Sequence, residues 1–433
     1  MGILKFDLSK KAGAFKPMNC VNNGPVGGRI NNNDAYRAAR IPFARNHDAA
    51  LFSAYGGHHS VDITGVFPDF DADAENPENY DFVLTDKYIK DTLAVGTKTF
   101  YRLGQRIEHQ IKKYGTLPPK DFKKWAVICE HVIRHYTEGW ADGMELDMPY
   151  WEIWNEPDLE PDDAPPEAKP TWGGTKAQFF DLYEVTAKHL KACFPGLKIG
   201  GPALGWREDW ADGFLCEMQK RNVPIDFFSW HIYTIEPCYM EERTRNIRAM
   251  LDKYGYENAE SICNEWNYVK GWANEDFKES VKTILSAKGA AFTMACMTVS
   301  QHGAMDMLMY YDARPCAFNG LFDFYFRETL KGYYPFLWYG MLYDLEEEIF
   351  CDTEIPCIYT LCGVDKDGKA LAIVTYYTDT QNAAESGFKV DFGRDGEYDI
   401  YLVDAEHSGE LVNTTSDLTF AMKPNTIMLI KEK

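Results

Sequence analysis

The chain has 433 residues, 45% hydrophobic and 26% charged, as expected for a soluble globular protein with one or two domains. Its formal net charge of −21 argues against nucleic acid as a partner, because phosphate backbones require a basic surface. The first eleven residues contain no apolar stretch of signal-peptide length, and no segment is long enough to span a membrane, so we expect no membrane association.

Eleven cysteines, an odd number, are scattered without paired short spacings. Several of them, including Cys129 and Cys263, fall in apolar runs. This pattern indicates buried, reduced thiols rather than a disulfide framework or a zinc site. We therefore expect a cytoplasmic protein with no metal and no cofactor.

Short apolar runs alternate with amphipathic stretches from about residue 16 to residue 330. Strands are predicted at residues 18–21, 41–44, 98–103, 150–154, 198–201, 227–231, 261–264 and 305–311. Helical periodicity is present in the stretches between them, including residues 121–136, 176–194 and 277–301. Eight strands alternating with helices predict an α/β fold, a parallel (β/α)8 TIM barrel.

The pattern changes after residue 330. Hairpin signals at Asp367-Gly368 and Asp395-Gly396 are flanked by β-rich runs, and further strands are predicted at residues 388–392, 418–422 and 427–430. This predicts an accessory antiparallel β-sandwich domain, residues 331–433, which also recruits residues 1–15. The barrel domain would then span residues 16–330.

Two glutamates stand where predicted strands end, Glu156 in the segment Trp-Glu-Ile-Trp-Asn-Glu-Pro-Asp-Leu and Glu265 in Ile-Cys-Asn-Glu-Trp-Asn. In a TIM barrel, the carboxyl ends of the strands build the active site. Two carboxylates on different strands suit glycoside hydrolysis, in which one protonates the leaving oxygen and the other attacks the sugar or stabilises its cation. Each glutamate taken alone could instead be a surface or helix-start carboxylate.

The Trp154-Asn-Glu-Pro157 motif together with Glu265 resembles the retaining glycoside hydrolases of clan A. Within that clan the chain is most similar to family 39, which includes β-xylosidases and α-L-iduronidases; residues 16–25 and 45–48 resemble its first two strands. The resemblance implies that Glu156 is the acid/base and Glu265 the nucleophile of a retaining exo-glycosidase acting on β-linked sugars, in the first place β-xylosides.

Two alternatives remain open at this point. Asn264-Glu-Trp-Asn267 is also similar to the nucleophile segment of family 51, which favours an α-L-arabinofuranosidase. A non-catalytic carbohydrate-binding barrel would bind sugars without turnover. In each case the expected partner is an oligosaccharide or glycoside, and the sequence leaves the formation of a homo-oligomer open.

Five further residues near the glutamates are candidates for substrate contacts or support. The amide of Asn155 could bind a sugar 2-hydroxyl. His231 and Tyr233 lie two residues apart and face the same side of a strand. The resemblance implies that Tyr233 contacts the nucleophile; a tyrosine buried in the barrel core is the alternative. Arg45 and His47 could support the site or contact sugar hydroxyls, although His47 could equally be structural.

The end of the eighth predicted strand differs from many clan members, because it carries no tryptophan there to form a platform. Asp312 or Arg314 could contact a sugar hydroxyl or carboxylate, and an internal Asp–Arg pair would explain them equally well. Residues 56–62 (Gly-Gly-His-His-Ser-Val-Asp) contain candidate metal ligands. We interpret them as a mobile loop beside the active-site mouth, since the predicted chemistry requires no metal.

Overall fold

The computed structural model describes residues 2–49, 60–316 and 318–433. Its first strand, β1 (Gly2–Ala14), belongs to a second sheet. The next eight strands close a parallel barrel in sequence order: β2 (Cys20–Asn22), β3 (Phe43–Arg45), β4 (Lys98–Leu103), β5 (Tyr150–Ile153), β6 (Lys198–Leu204), β7 (Phe227–Thr234), β8 (Glu260–Tyr268) and β9 (Met307–Tyr310). The predicted TIM barrel is confirmed, and β2 closes it by pairing in parallel with β9.

Ten α-helices are present in the described parts of the chain: α1 (Asn33–Ala39), α2 (Ile63–Val66), α3 (Val83–Leu93), α4 (Phe122–Thr137), α5 (Lys176–Cys193), α6 (Glu208–Lys220), α7 (Pro237–Lys253), α8 (Asn274–Ile284), α9 (Ala287–His302) and α10 (Tyr333–Tyr343). Asp121 caps α4 by accepting from the backbone of Lys123 and Lys124, and Thr175 begins α5 with a capping box.

The stretch of helical periodicity over residues 277–301 corresponds to two separate helices, α8 and α9. Ser286 caps α9 by accepting from the backbone N–H of Gly289. A side chain at Gly289 would meet the carbonyl oxygen of Thr283 at 2.4 Å, so the two helices approach closely at this junction. The buried residues of α9 lie on nearly all sides of the helix, so apolar periodicity does not mark where α9 begins.

A layer of apolar side chains fills the lower part of the barrel interior. Every second residue of a strand points inward, and the inward positions at this level form one buried cluster: Cys20, Phe100, Tyr150, Phe227, Ile262, Met307 and Met309. Each fully buried phenylalanine contributes roughly 2 kcal/mol of hydrophobic free energy. The inward residues above this layer are polar, and they form the site described below.

The second sheet has nine strands in the order β15-β14-β17-β12-β11-β10-β1-β13-β16. Its other members are β10 (Glu347–Cys351), β11 (Ile358–Val364), β12 (Ala370–Tyr376), β13 (Ser386–Asp391), β14 (Tyr398–Val403), β15 (Ser408–Thr415), β16 (Thr419–Met422) and β17 (Thr426–Glu432). The pairing is antiparallel except between β1 and β13. Leu4 and Phe6 of β1 are buried in the same core as Val374 and Ile430.

Helix α10 follows residue 330 in the sequence but packs on the barrel. The hydroxyl of Tyr333 donates to the carbonyl of Ala35 at 2.9 Å, and that of Tyr339 donates to the carbonyl of Lys16 at 2.9 Å. Because α10 lies beyond residue 330 and yet packs on the barrel, the domain boundaries at residues 15/16 and 330/331 stay a prediction.

All eleven cysteines are free thiols. None of the helices in the described ranges combines the length and the apolar character that crossing a bilayer requires.

Candidate active site

The loop after β5 holds Glu156 in an uncommon backbone conformation. Trp154 has a φ of 74° and Glu156 a φ of 47°, values that residues with a side chain rarely adopt. Surrounding contacts fix both residues. The Trp154 N–H donates to the carbonyl of Leu103 at 2.8 Å, the Glu156 N–H donates to the carbonyl of Ala203 at 2.9 Å, and the Thr171 hydroxyl donates to the Glu156 carbonyl at 2.6 Å. Strained backbone of this kind persists only where its surroundings determine it.

Glu265 reaches the barrel interior because β8 contains a β-bulge. Trp230 pairs with Cys263, and the next residue of β7, His231, pairs with Glu265, so Asn264 is the extra residue. The bulge reverses the alternation of the strand, and both Asn264 and Glu265 contact groups inside the barrel. Trp266 then packs outward against Phe292 of α9.

The two glutamates lie together at the carboxyl ends of their strands. A carboxylate oxygen of Glu156, one of Glu265 and a ring nitrogen of His231 all lie within 4.8 Å of one another. Nδ1 of His231 is 2.8 Å from Oε1 of Glu156, which is hydrogen-bond distance. The hydroxyl of Tyr233 donates to Oε2 of Glu265 at 3.0 Å. The alternation of β7 thus places His231 and Tyr233 on the same face, each beside one glutamate.

Arg45 of β3 connects the site to the barrel wall. Its Nη1 donates to Oε1 of Glu265 at 2.7 Å, its Nε to Glu152 at 2.6 Å and its Nη2 to Oδ1 of Asn155 at 2.7 Å. The second amide atom of Asn155, Nδ2, is buried without a hydrogen-bond partner among the described residues. Because a buried amide donor without a partner is costly, Nδ2 is a ready donor for a ligand.

Burial gives the two carboxyl groups unusual protonation behaviour. It raises the pKa of Glu156 to about 8, and the negative charge of Asp158 adds to this effect. Burial also raises the pKa of Glu265, but His231 and Arg45 oppose the increase. The pKa of His231 is lowered to about 4, mainly by burial, so its ring is neutral at neutral pH. Burial thus favours the protonated form of Glu156, whereas the guanidinium charge of Arg45 favours the ionised form of Glu265.

The remaining predicted residues lie around this centre. His47 is fully buried, and its Nε2 is 3.7 Å from Oε1 of Glu265, beyond hydrogen-bond distance. Asp312 and Arg314 form an internal ion pair of 2.7 Å, in which the buried Arg314 also donates to the carbonyl of Asp48 at 2.7 Å. Most of the 56–62 loop lies outside the described residues.

Sequence reasoning missed three residues of this region. Glu152 is fully buried and accepts hydrogen bonds from Arg45 and from the side chain of Asn264. The sequence does contain a signal for Glu152, namely a charged residue between Trp151 and Ile153 in an apolar strand. Asp158 accepts three backbone hydrogen bonds from the turn after β6. The third is Trp272, which follows β8.

Trp272 supplies an exposed aromatic surface beside Glu265. Its indole is 63% exposed and meets the ring of Tyr233 edge-on at 4.9 Å. Phe277 and Phe318 stack behind it, at 5.9 and 6.1 Å between ring centroids. A tryptophan supported in this way can receive the C–H face of a sugar ring, although it lies on a different loop from the platform of many clan members.

Two groups of side chains in the described ranges could supply three metal ligands each. One is Glu156, His231 and Glu265; the other is Glu130, His189 and Cys193, on α4 and α5. In each group an arginine donates to a carboxylate, Arg45 to Glu265 and Arg134 to Glu130. These guanidinium charges oppose the binding of a cation.

A sequence profile of the family described as glycosyl hydrolases family 39 matches residues 30–265, more than half of the chain and both glutamates. The chain belongs to this family. A β-xylosidase of Geobacillus stearothermophilus is 32% identical over 187 residues, which are 40% of this family 39 chain. The match spans only about a third (34%) of that relative's length.

Solved structures share the fold of this family 39 chain over its whole length. A glucosidase from Croceicoccus marinus aligns with a TM-score of 0.81 at 21% identity, covering 100% of this chain and 99% of that one. A monomeric β-xylosidase from Caulobacter crescentus CB15 aligns with a TM-score of 0.74 at 16% identity, with the same coverage. At these identities the likeness concerns the fold.

Proposed function

We propose that the protein is a retaining glycoside hydrolase that cleaves β-linked sugars, in the first place β-xylosides, with Glu156 as general acid/base and Glu265 as nucleophile. The observation that carries this proposal is the carboxylate pair, whose oxygens approach within 4.8 Å at the mouth of the barrel. Retaining enzymes hold their two carboxyl groups about 5–5.5 Å apart, whereas inverting enzymes need about 6.5–9.5 Å for a water molecule.

The protonation states support the division of roles. Glu156, with a pKa of about 8, carries a proton at neutral pH and can donate it to the leaving glycosidic oxygen. Glu265 accepts hydrogen bonds from Arg45 and Tyr233, which stabilise its ionised form and aim it. Glu265 then attacks the anomeric carbon, the bond to the leaving oxygen breaks, and a glycosyl ester forms on the carboxylate.

The second step reverses the first with water. Glu156, now ionised, removes a proton from a water molecule, whose oxygen attacks the anomeric carbon and releases Glu265. His231 lies 2.8 Å from Glu156 and is neutral, so it can orient this carboxyl group without competing for the proton. The free Nδ2 donor of Asn155 would bind the sugar 2-hydroxyl.

Two observations bear on the identity of the sugar. The named relatives comprise β-xylosidases and a glucosidase. The motif Asn264–Asn267 was the reason to consider an α-L-arabinofuranosidase. Both asparagines form hydrogen bonds within the protein: Asn264 donates to Glu152, and Asn267 donates to the carbonyl of Tyr311 at 2.7 Å. The motif therefore does not favour arabinofuranosides over xylosides.

We further propose exo action on short glycosides and a cytoplasmic location. The eleven free cysteines support a reducing compartment. The site residues need no metal for the proposed chemistry, since protonation and attack are both supplied by carboxyl groups.

A panel of 4-nitrophenyl glycosides tests the activity and the sugar together. We expect the highest kcat/KM for the β-xyloside and a product that retains the β configuration when first formed, as followed by proton NMR. A preference for the α-L-arabinofuranoside would change the proposed sugar and leave the proposed retaining mechanism unchanged. Sugar binding without turnover of any glycoside would favour the non-catalytic barrel.

A further inference from the structure

The turn after β6 brings the backbone of Gly205 next to the Glu156 carboxyl group, and Trp206 is the following residue. A Cβ atom at Gly205 would lie 3.4 Å from Oε1 of Glu156 and 2.7 Å from Leu159. The backbone of the turn thus lies against the proposed acid. Trp206 itself is 63% exposed, so its aromatic surface is accessible to a ligand.

Two charged side chains, the buried Asp158 and the half-buried Arg243, hold the backbone of this turn in place. Asp158 accepts from the N–H groups of Gly205, Trp206 and Arg207, at 2.7, 2.9 and 2.9 Å. Arg243 donates to the carbonyl oxygens of Trp206 and Gly205 at 3.2 and 3.5 Å. Five hydrogen bonds therefore fix the main chain while the indole stays in solvent. Such preorganisation lowers the entropy lost when a ligand binds.

The two exposed tryptophans are connected to different members of the carboxylate pair through their neighbours. Trp272 packs on Tyr233, the partner of Glu265, whereas Trp206 follows Gly205, whose backbone lies against Glu156. In the proposed mechanism Glu156 faces the leaving oxygen. A ring carried by that oxygen would therefore approach Trp206, and the ring of the attacked sugar would approach Trp272.

We propose that Trp206 forms the binding site for the leaving group, and that this site takes a ring with a flat apolar face, either the C–H face of a second sugar or an aryl group. The proposal rests on the proposed glycosidase function. Asp158 and Arg243 act as positioning residues, because they form hydrogen bonds with the backbone of the turn that carries Trp206. Contacts made away from the reacting bond can raise kcat as well as lower KM.

Three substrates with the same sugar and different leaving groups test this site: the glycosyl fluoride, the 4-nitrophenyl glycoside and the disaccharide. The sugar is the one that the wild-type protein cleaves best. For Trp206→Ala we expect kcat/KM to fall at least about tenfold for the disaccharide, the aryl glycoside or both, and to stay within about twofold for the fluoride. Trp206→Phe should retain most of the activity. Leu411→Ala, at a half-exposed position of β15, is the matched control.

The pattern of loss identifies the ligand. A loss confined to the disaccharide indicates a sugar site, and a loss confined to the aryl glycoside indicates an aryl site. Equal loss for all three substrates, or no loss for any, overturns the proposal while leaving the glycosidase function intact. A wild-type protein that cleaves none of the three overturns the function and the site together.

Transfer to an added sugar acceptor gives a second readout, since the acceptor occupies the leaving-group site in the second step. With the glycosyl fluoride as donor, Trp206→Ala should lower the ratio of transfer to hydrolysis at unchanged fluoride release. A substitution that only destabilises the fold would affect transfer and hydrolysis alike and leave their ratio unchanged. An unchanged ratio contradicts the proposal.

Discussion

Glu265 accepts hydrogen bonds on both of its carboxylate oxygens, and the donor on Oε2 is the hydroxyl of Tyr233 at 3.0 Å. The donor on Oε1 is the fully buried guanidinium of Arg45. Two donors of fixed geometry leave the carboxylate only one orientation and favour its ionised form in a buried place. This clamp distinguishes Glu265 from Glu156, whose carboxyl group contacts a neutral histidine.

Removing the Tyr233 hydroxyl should therefore impair the reaction without unfolding the protein. We expect Tyr233→Phe to lower kcat/KM by about tenfold to a thousandfold, since catalytic hydrogen-bond donors of this kind contribute on that scale. Loss of a donor to the ionised form also raises the pKa of Glu265, so the acidic limb of the pH profile should move to higher pH. The exposed Tyr239→Phe serves as control, and unchanged kinetics for Tyr233→Phe would refute the role of the hydroxyl.

The pH profile of kcat/KM should be bell-shaped. Activity requires Glu265 ionised and Glu156 protonated, so it rises above the raised pKa of Glu265 and falls above about pH 8, where Glu156 loses its proton. Glu156→Gln should abolish the alkaline limb for substrates with a good leaving group, which need no acid. Survival of that limb in the variant would mean that another group is the acid.

The nucleophile can be identified by trapping. A 2-deoxy-2-fluoro glycoside with a good leaving group forms the glycosyl-enzyme quickly and slows its hydrolysis, so mass analysis of digested protein should find the sugar on Glu265. Azide should rescue Glu265→Ala and give the glycosyl azide of inverted configuration. Glu156→Ala is the matched variant, for which azide should give the retained configuration. Label on Glu156 would reverse the assignment.

The buried acid should also make stability depend on pH. The pKa of Glu156 is raised from 4.5 to about 8 on folding, so between these values the folded protein binds a proton that the unfolded chain does not. The free energy of unfolding therefore decreases as pH rises through this interval, by about 1.4 kcal/mol per pH unit at most. Glu156→Gln removes the penalty, and its Tm relative to wild type should increase from pH 5 to pH 8.

Thermal melts of a matched variant test this dependence. Glu257→Gln, at an exposed position between α7 and β8, should show the same small difference from wild type at both pH values. A Tm difference for Glu156→Gln that does not change with pH would contradict the buried, protonated state.

Strand β1 offers a test of the second sheet. Leu4 is 1% exposed and Ile3 is 50% exposed, because neighbouring residues of a strand point to opposite faces. Leu4→Ala should lower the stability of the sheet by about 2–5 kcal/mol, measured by thermal or denaturant unfolding, and Ile3→Ala by much less. Equal effects at both positions would show that β1 contributes little to the core.

Local patterns in the sequence were sufficient to predict the barrel and its eight strands. Strand alternation, helix periodicity and the Asn-Glu-Pro motif are all properties of neighbouring residues, which a sequence displays directly. They also predicted the strand of Glu265, although β8 extends to Tyr268, beyond the expected end at Asn264. Helical periodicity over residues 277–301 did not show the break between α8 and α9, which depends on the close approach at Gly289.

The tertiary structure decided how the candidate site is assembled. The bulge at Asn264 turns Glu265 inward. The residues of β8 alone do not predict the bulge, because it depends on the register with β7. The positive φ of Glu156 is held by Ala203 and Thr171, which are distant in the sequence. Burial in the folded barrel raises the pKa of Glu156, whereas a glutamate in the unfolded chain would have its ordinary pKa. The sequence thus set which residue types are present. Contacts between distant segments set the ionisation and the orientation of Glu156 and Glu265.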